Sequence, residues 1–165
     1  MIRKGKSYVR PKKAYEKSRM EEENKLAEKY GLKNKREIWK TIAKVSYFRR
    51  RAKALAKSSN EEQEVLFNKL QNIGLNVNTI SEVLALNVEN LLSRRIQTVL
   101  AHKKLALTVR HARQLIVHKK VMINGNIISI PSYIVSVEDE KTLSLRKENK
   151  APKAVKKEET SEVIQ

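Results

Sequence analysis

Three histidines, His102, His111 and His118, are the clearest candidates for catalysis or metal binding in this 165-residue sequence. The stretch from Asn90 to Ser136 contains all three but no Asp or Glu. Acid–base and metal chemistry normally needs a carboxylate partner or further ligands. His111 and His118 have the spacing to share one helix face, yet two ligands do not make a structural zinc site. We therefore expect no catalytic residue and no metal site, and we interpret the histidines as solvated or phosphate-contacting.

Other signatures of catalysis and cofactor binding are also missing from the sequence. It has no cysteine, which excludes a thiol nucleophile, thiolate zinc and disulfides. Its four glycines are too scattered for a phosphate-binding loop, and neither a Gly-x-Ser-x-Gly nor a Walker pattern occurs. The sequence thus predicts a protein that is not an enzyme and that takes no cofactor and no small-molecule substrate.

Basic side chains dominate the composition and are unevenly distributed. Lys and Arg number 36 against 18 Asp and Glu, which gives a net charge of +18 at pH 7. Residues 1–57 carry +14, residues 58–92 carry −4, and residues 93–133 carry +8 without a single acidic residue. Solvated surfaces usually mix both signs. Two strongly basic regions, one of them without any acidic residue, therefore favour a polyanionic partner.

Nucleic acid is the polyanion that the pattern favours. The basic N-terminus is not followed by the apolar region of a signal peptide, and no run approaches the ~20 apolar residues of a membrane span. The apolar stripes belong to several elements that can cover one another, unlike a lipid-binding helix, so we expect no membrane association. Arginine grips phosphate with a planar fork, which favours four residues of the acid-free region as contacts: Arg94, Arg95, Arg110 and Arg113.

Periodicity and helix-capping residues predict the elements that position these side chains. A first helix is expected at about residues 14–30, ended by Gly31. A second helix is expected at about residues 34–57, where Asn34 and Glu37 have the spacing of a capping box. Its expected apolar face comprises Ile38, Ile42, Val45 and Leu55.

Further helices are expected in the middle of the chain. One covers about residues 60–74, a short one follows Thr79, and a longer one covers about residues 87–103. The first of these should present Val65, Leu66, Leu70 and Ile73 to the core. On the longer helix, three polar residues are expected to lie mostly outside the apolar stripe: Arg94, Arg95 and Gln97. A helix capped by Thr108 should carry, opposite its apolar face, Arg110, Arg113 and Gln114.

After His118 the pattern changes from helix to strand. Asn124-Gly125 is a two-residue hairpin signal. Extended pieces are expected at residues 121–123, 127–130, 133–137 and 142–145.

Residues between positions 94 and 133 also form a family pattern. They are Arg94-Arg95-Ile96-Gln97, Ala106, Thr108, Ala112-Arg113-Gln114-Leu115-Ile116, His118, Val121, Asn124-Gly125 and Ile130-Pro131-Ser132-Tyr133. The pattern resembles the RNA-binding module of the S-four family of small-subunit ribosomal proteins, which also occurs in some pseudouridine synthases, tRNA synthetases and stress proteins. Two other segments resemble the archaeal and eukaryotic branch of the ribosomal family: Lys29-Tyr30-Gly31-Leu32-Lys33-Asn34-Lys35-Arg36-Glu37-Ile38-Trp39 and Phe48-Arg49-Arg50-Arg51.

The resemblance implies an α+β fold in two parts. A helical rRNA-binding region would occupy residues 1–92, and a compact module of paired helices on a small bent antiparallel sheet would occupy residues 93–147. The charged composition of residues 148–165 predicts a disordered tail. Residues 1–13 are expected to be unordered before RNA binds, because Pro11 and the charge density oppose packing.

The resemblance also implies a function. Family members are structural constituents of the small ribosomal subunit, in the cytoplasm, that bind small-subunit ribosomal RNA directly in its 5′ domain. They nucleate assembly, contribute to translational accuracy, and lie near the mRNA entry channel beside proteins such as the S-five family. The alternative is a ribosome-biogenesis factor of the nucleolar snoRNP type that carries the same module.

The expected RNA-binding residues form two sets. In the module the resemblance implies Arg94, Arg95, Arg113, Gln114, His118, Lys119 and Lys120, and helical geometry adds Arg110. In the N-terminal region the charge density favours Lys12, Lys13, Lys33, Lys35, Arg36, Arg49, Arg50 and Arg51.

Three departures from the family pattern limit what is carried over. Bacterial members often have a cysteine cluster for zinc, which this sequence lacks. Where many members read His-Gly-His, this sequence reads His118-Lys119-Lys120. A position that is commonly glycine must therefore accept a side chain, so the backbone conformation there is expected to differ from that of glycine-containing members. Gln97 replaces a usual acidic residue, which removes a possible local partner for the paired arginines.

Overall fold

The computed structural model describes residues 7–146 and contains, within them, eight helices and three short strands. The helices are α1 (Lys17–Lys29), α2 (Lys35–Leu55), α3 (Asn60–Asn72), α4 (Ile80–Ala85), α5 (Val88–Ser93), α6 (Ile96–His102), α7 (Val109–Val117) and α8 (Val137–Thr142). The strands are β1 (Val121–Ile123), β2 (Asn126–Ile127) and β3 (Ser144–Leu145). The predicted α+β class is confirmed, whereas the predicted disordered tail at residues 148–165 lies outside the described residues.

The three strands form one antiparallel sheet in the order β2-β1-β3. Met122 pairs with Ile127 on one side and with Ser144 on the other. Asn124 and Gly125 join β1 to β2 with positive φ angles of 49° and 78°, as a two-residue hairpin turn requires. The predicted hairpin is confirmed, although β2 is shorter than the predicted strand at residues 127–130.

Two hydrophobic clusters lie one after the other along the chain. The cluster between the helices of the first part comprises Val45, Phe48, Ala52, Leu66, Leu70, Leu75, Val77, Val83, Leu86 and Leu91. The second lies between α6, α7 and the sheet and comprises Ile96, Val99, Leu100, Ala106, Ala112, Ile116, Val121, Ile123, Val135 and Leu143. The change from one cluster to the other falls between Leu91 and Ile96. The predicted domain boundaries themselves stay a prediction.

The single helix predicted at residues 87–103 is wrong, because the chain breaks into α5 and α6 at Arg94 and Arg95. Arg95 adopts an extended backbone, with φ −72° and ψ 141°. The segment that follows the sheet hairpin pairs with this break, since Val135 N–H donates to the Arg94 carbonyl at 3.0 Å and Ile96 N–H donates to the Tyr133 carbonyl at 2.9 Å. These tertiary hydrogen bonds compete with the helical ones that periodicity predicts.

Helix α8 lies between the two extended pieces predicted at residues 133–137 and 142–145 and overlaps them only at Val137 and Thr142. Ser136 caps it by accepting a hydrogen bond from Asp139 N–H at 3.0 Å. Three acidic residues fill its first turn: Glu138, Asp139 and Glu140. Acidic side chains in a first turn interact favourably with the helix dipole, and the sequence analysis overlooked this signal of a helix start.

Two predicted core residues lie on the surface instead. Ile42 of α2 and Val65 of α3 are both exposed, whereas Leu66 and Leu70 of α3 are buried as predicted. Neighbouring positions on a helix are about 100° apart, so the buried face of α3 includes Leu66 and leaves Val65 outside it.

The N-terminal segment before α1 packs on the helical part in its described residues, 7–16. The Tyr8 ring lies 6.0 Å from the Trp39 ring, centroid to centroid. Arg19 Nη2 donates to the carbonyls of Lys13 and Ala14 at 2.8 Å and 3.0 Å. Helix α1 begins at Lys17 rather than at residue 14. The structure differs here from the expected absence of packing over residues 1–13, of which residues 1–6 lie outside the described chain.

A buried carboxylate anchors this corner of the fold. Glu23 accepts hydrogen bonds from Arg19 Nη1 at 2.7 Å and from Trp39 Nε1 at 2.9 Å. Burial raises the pKa of Glu23, but the hydrogen bonds from Trp39 and Arg19 outweigh burial and hold the pKa below its ordinary value. Glu23 is therefore charged at neutral pH and ties α1 to α2.

Candidate nucleic-acid interface

Arg94 lies between the two parts of the chain. Its Nε donates to the Ile73 carbonyl at 2.8 Å, and its Nη2 donates to the Glu140 carboxylate at 2.8 Å and to the Val135 carbonyl at 3.3 Å. Gly74 leaves room for this side chain, because a Cβ there would stand 2.6 Å from the Arg94 Cζ. Arg94 thus joins the end of α3 to α8.

Glu37 accepts hydrogen bonds from two arginines that the sequence assigns to RNA. Its Oε2 accepts from Arg95 at 2.5 Å and from Arg113 at 3.2 Å, and its Oε1 accepts from Arg113 at 2.9 Å. The expected capping box is therefore wrong: Asn34 caps α2 by accepting from Arg36 N–H at 2.9 Å, but the Glu37 side chain turns to the arginines. Arg95 is only 4% exposed, while the Arg113 side chain is 23% exposed.

The two guanidinium groups keep Glu37 ionised. Burial raises the pKa of Glu37, but the hydrogen bonds from Arg113 and Arg95 outweigh burial and leave the pKa below its ordinary value. When one partner of an ion pair that is mostly shielded from water is removed, the remaining charge is uncompensated, and the fold is destabilised. Glu37 is thus an electrostatic link between α2 and the second part of the chain.

Gln97 extends this link. Its Nε2 donates to the Tyr30 carbonyl at 2.5 Å, and its Oε1 accepts from Arg113 Nη1 at 3.4 Å. The expectation that Gln97 and Arg95 lie mostly outside the apolar stripe is wrong, since both are buried. The carboxylate that pairs with Arg95 and Arg113 is that of Glu37, on another helix.

The outer face of α7 carries the exposed part of the predicted module site. Ala112 and Ile116 pack into the core, and the polar residues that lie exposed on α7 or directly after it are Arg110, Gln114, His118 and Lys119. Lys120 is half-buried and, with His111, Gln114, Leu115 and His118, lines a shallow recess of about 170 Å³. These residues form the basic face of the module.

Lys119 keeps the backbone conformation that glycine favours. Its φ is +58°, and its N–H donates to the Ile116 carbonyl at 2.9 Å. Lys119 therefore forms a left-handed helix end, the conformation that glycine usually supplies, and places its charge there.

The basic residues predicted in the first part fall into two groups. Those that lie exposed are Lys12, Lys13, Lys33, Arg36, Arg50 and Arg51, of which Arg51 also donates to the Tyr47 hydroxyl at 3.4 Å. The other two are engaged inside the fold. Arg49 Nη2 donates to the Leu86 carbonyl at 2.6 Å, and Lys35 Nζ lies 3.6 Å from the Glu23 carboxylate.

Sequence reasoning missed the ion pairs that Glu37 forms with Arg95 and Arg113. Glu37 was interpreted only as a capping residue. A signal was nevertheless present, because Glu37 is the only acidic residue between Glu28 and Glu61 in a segment dense with lysine and arginine. A lone acid in a basic segment is a candidate for an internal ion pair.

The histidines are not gathered into one site. His102 and His118 are exposed, and the half-buried His111 accepts a hydrogen bond at Nδ1 from Leu107 N–H at 3.4 Å. Within residues 7–146, no group of His, Asp and Glu side chains is arranged to hold a metal ion. No helix in this part of the chain combines the length and the apolar character that a membrane span needs.

Known proteins match this chain both within the module and over most of its length. The S4 domain family matches residues 94–141. The chain is 39% identical over 149 residues to small ribosomal subunit protein uS4 of Thermoplasma acidophilum, with 84% of this chain and 74% of the relative covered. It is 38% identical over 144 residues to uS4 of Methanococcus vannielii, with 83% and 81% covered. The chain belongs to the uS4 family. The resemblance predicted from the sequence, including its archaeal type, is thereby confirmed.

Within this uS4 chain, the S4 domain starts at Arg94 and includes α6, α7 and the hairpin. The basic face of the module therefore lies in the S4 domain, and Glu37, which binds Arg95 and Arg113, lies outside it. The similarity to uS4 of Thermoplasma volcanium, 38% over 148 residues and 84% of this chain, likewise extends well beyond the S4 domain.

Proposed function

We propose that the chain is a structural, non-enzymatic component of the small ribosomal subunit that binds small-subunit ribosomal RNA directly. The observation that carries the proposal is the basic face of the module, which displays Arg110, Gln114, His118 and Lys119 in a segment without acidic residues. The similarity to small ribosomal subunit proteins over most of the chain supports the same function. The biogenesis-factor alternative is not favoured, because these relatives are ribosomal proteins.

In this proposal, basic side chains neutralise RNA phosphates, and the shape of the RNA determines where the chain binds. Cationic side chains on a surface displace the counterions of RNA, which supplies most of the affinity, while double-helical RNA is recognised largely by its shape and backbone. In this proposal Arg110 and Lys119 contact phosphates. Arg94, Arg95 and Arg113 hold the module against the helical part, and a direct role of these three in RNA binding stays a prediction.

The finer parts of the function are also proposals. The helical region at residues 1–92 and the module at residues 93–147 would bind the 5′ domain of the RNA together, with Lys12, Lys13, Lys33, Arg36, Arg50 and Arg51 as exposed contacts in the first part. The chain would nucleate assembly of that domain, contribute to translational accuracy in cytoplasmic ribosomes, and neighbour a protein of the S-five family. The charged segment at residues 148–165 stays a predicted disordered tail.

A salt-titrated binding assay tests the proposal. The full chain is compared on a 5′-domain transcript of small-subunit RNA and on an unrelated structured RNA of equal length. We expect the affinity for the first to stay higher as salt removes the nonspecific term. Coincident curves at every salt concentration would mean that the isolated chain is a generic polyanion binder, which would contradict the proposal.

Two matched variants locate the interface. Arg110→Ala removes an exposed cation from α7 and is expected to weaken binding about threefold to tenfold, and to lower the salt slope by about one. Lys69→Ala removes an exposed cation from α3, in the acidic segment, and is expected to leave binding unchanged. Equal effects of the two variants would argue against the basic face of the module as the contact surface.

A further inference from the structure

Four helices of the described chain end in the same backbone motif. After each helix, two consecutive N–H groups bond back to carbonyls of the last turn, for example Lys104 N–H to Ala101 at 3.1 Å and Leu105 N–H to Leu100 at 3.1 Å. In this Schellman motif the first of the two residues takes the left-handed conformation, usually as glycine. Those residues, after α1, α3, α6 and α7, are Gly31, Gly74, Lys104 and Lys119, with φ between 57° and 83°.

Glycine occupies the left-handed position of the motif where a side chain would collide with neighbouring atoms. A Cβ at Gly31 would meet Val109 Cγ1 at 3.2 Å, and one at Gly74 would meet the Arg94 guanidinium at 2.6 Å. Lysine occupies it twice in the S4 domain, at two exposed positions. An L-residue with a side chain is strained at positive φ because its Cβ crowds the following carbonyl oxygen, so glycine would suit both turns better as far as local stability is concerned.

The charge of Lys104 is not used inside the described part of the fold. Within residues 7–146, its side chain makes no hydrogen bond and no ion pair, whereas the adjacent Lys103 donates to the Glu140 backbone carbonyl. Lys104 lies in the turn between α6 and α7, close in the chain to Leu107, a fully solvated apolar residue. This turn belongs to the acid-free segment, so no acidic residue lies near Lys104 in sequence.

We infer that Lys104 is a phosphate contact for RNA, in addition to the residues of the basic face of the module. The inference rests on the proposed function and adds a contact at the opposite end of α7 from Lys119. Nine helical residues rise about 14 Å, so the two lysines would engage phosphates at separate points of the RNA backbone. In this inference, Lys104 keeps its strained φ of +57° because its ammonium group is needed to contact RNA phosphate.

Helix electrostatics offers a competing explanation of Lys104. A cation near the C-terminus of α6 favours the helix dipole, and that effect would be purely internal to the protein. The two explanations differ in what Lys104→Gly does to RNA binding. Glycine relieves the strain in either case and, under the dipole explanation, also removes the favourable charge at the helix end. Only a phosphate contact makes the same substitution weaken RNA binding.

The test uses the full chain with Lys104→Gly, Lys104→Arg and, as control, Lys69→Ala. For Lys104→Gly we expect a higher melting temperature, about threefold to tenfold weaker binding to the 5′-domain transcript near 0.1 M salt, and a salt slope lower by about one. Lys104→Arg keeps the charge and should bind like the wild type. Lys69→Ala should not change binding.

The outcomes separate this inference from the proposed function. If the wild type prefers the 5′-domain transcript and Lys104→Gly binds with unchanged affinity and slope, the proposed function stands and the contact at Lys104 is refuted. If Lys104→Gly lowers the melting temperature, the lysine stabilises the fold by more than the strain costs, and the inference that its charge is kept for RNA is refuted. If the wild type shows no preference for the transcript, the proposed function fails and the inference fails with it.

Discussion

Replacing Glu37 with glutamine removes the charge that holds Arg95 and Arg113, at nearly constant shape. The carboxylate accepts three hydrogen bonds from the two arginines, at 2.5, 2.9 and 3.2 Å. Loss of one partner from a buried ion pair costs about 3–5 kcal/mol. Because the Glu37 and Arg113 side chains retain 18% and 23% exposure, part of that cost is relieved by water, and we expect Glu37→Gln to lower the free energy of unfolding by about 2–4 kcal/mol.

Denaturant and thermal unfolding followed by circular dichroism measure this change. For a chain of this size about 1 kcal/mol corresponds to roughly 2–4 °C, so the melting temperature should fall by about 4–16 °C at pH 7. Glu64→Gln is the matched control, since Glu64 is exposed on α3 and forms no ion pair within residues 7–146. A surface substitution of this kind should stay within about 0.5 kcal/mol of the wild type.

The pH dependence of the same variant provides a second check. The pKa of Glu37 lies below its ordinary value of 4.5, so its stabilisation is complete above that value and is lost as the pH falls through the lowered pKa. The difference between wild type and Glu37→Gln should therefore shrink as the pH drops below about 4.5. A difference at pH 7 below about 1 kcal/mol, or one that persists undiminished at pH 3, would refute the assignment of Glu37 as a charged link.

Two further predictions test other internal contacts. Gly74→Ala is expected to cost about 1–3 kcal/mol in urea unfolding, and more than Gly125→Ala, because only at Gly74 would the new Cβ displace the anchored guanidinium of Arg94; equal costs would contradict this. Trp39→Phe removes the indole donor to the buried Glu23 carboxylate and is expected to cost about 1–3 kcal/mol in the same assay, whereas a neutral result would mean that Arg19 alone satisfies Glu23.

Local signals in the sequence predict the helix ends well. Thr108 accepts from His111 N–H, Thr79 forms a capping box with Glu82, and Gly31 and Gly74 end their helices at positive φ. In each case the residue that carries the signal also makes the contact, or takes the backbone angle, that the signal implies. Such features depend on a few neighbouring residues, so one sequence is enough to reveal them.

Features set by distant contacts could not be predicted in the same way. The apolar periodicity runs through Arg94 and Arg95, and the helix breaks there where Val135 N–H bonds to the Arg94 carbonyl and Ile96 N–H to the Tyr133 carbonyl. The partners of Arg95 and Arg113 were likewise hidden, because Glu37 comes from another helix far along the chain. Periodicity records which face of an element is apolar, and it does not record which element packs against that face.

The internal pairs also change how the charge of the S4 domain should be interpreted. Residues 93–133 contain eight basic and no acidic side chains, which by itself predicts a uniformly positive surface. The fold brings acidic residues to this segment from outside it: Glu37 pairs with Arg95 and Arg113, and Glu140 pairs with Arg94. The cations that remain exposed lie on α7 and in the turns at either end of it, among them Arg110, Lys104 and Lys119. A count of charges along a chain therefore locates a polyanion-binding domain, but the ion pairs within the fold decide which of its arginines and lysines are available to the RNA.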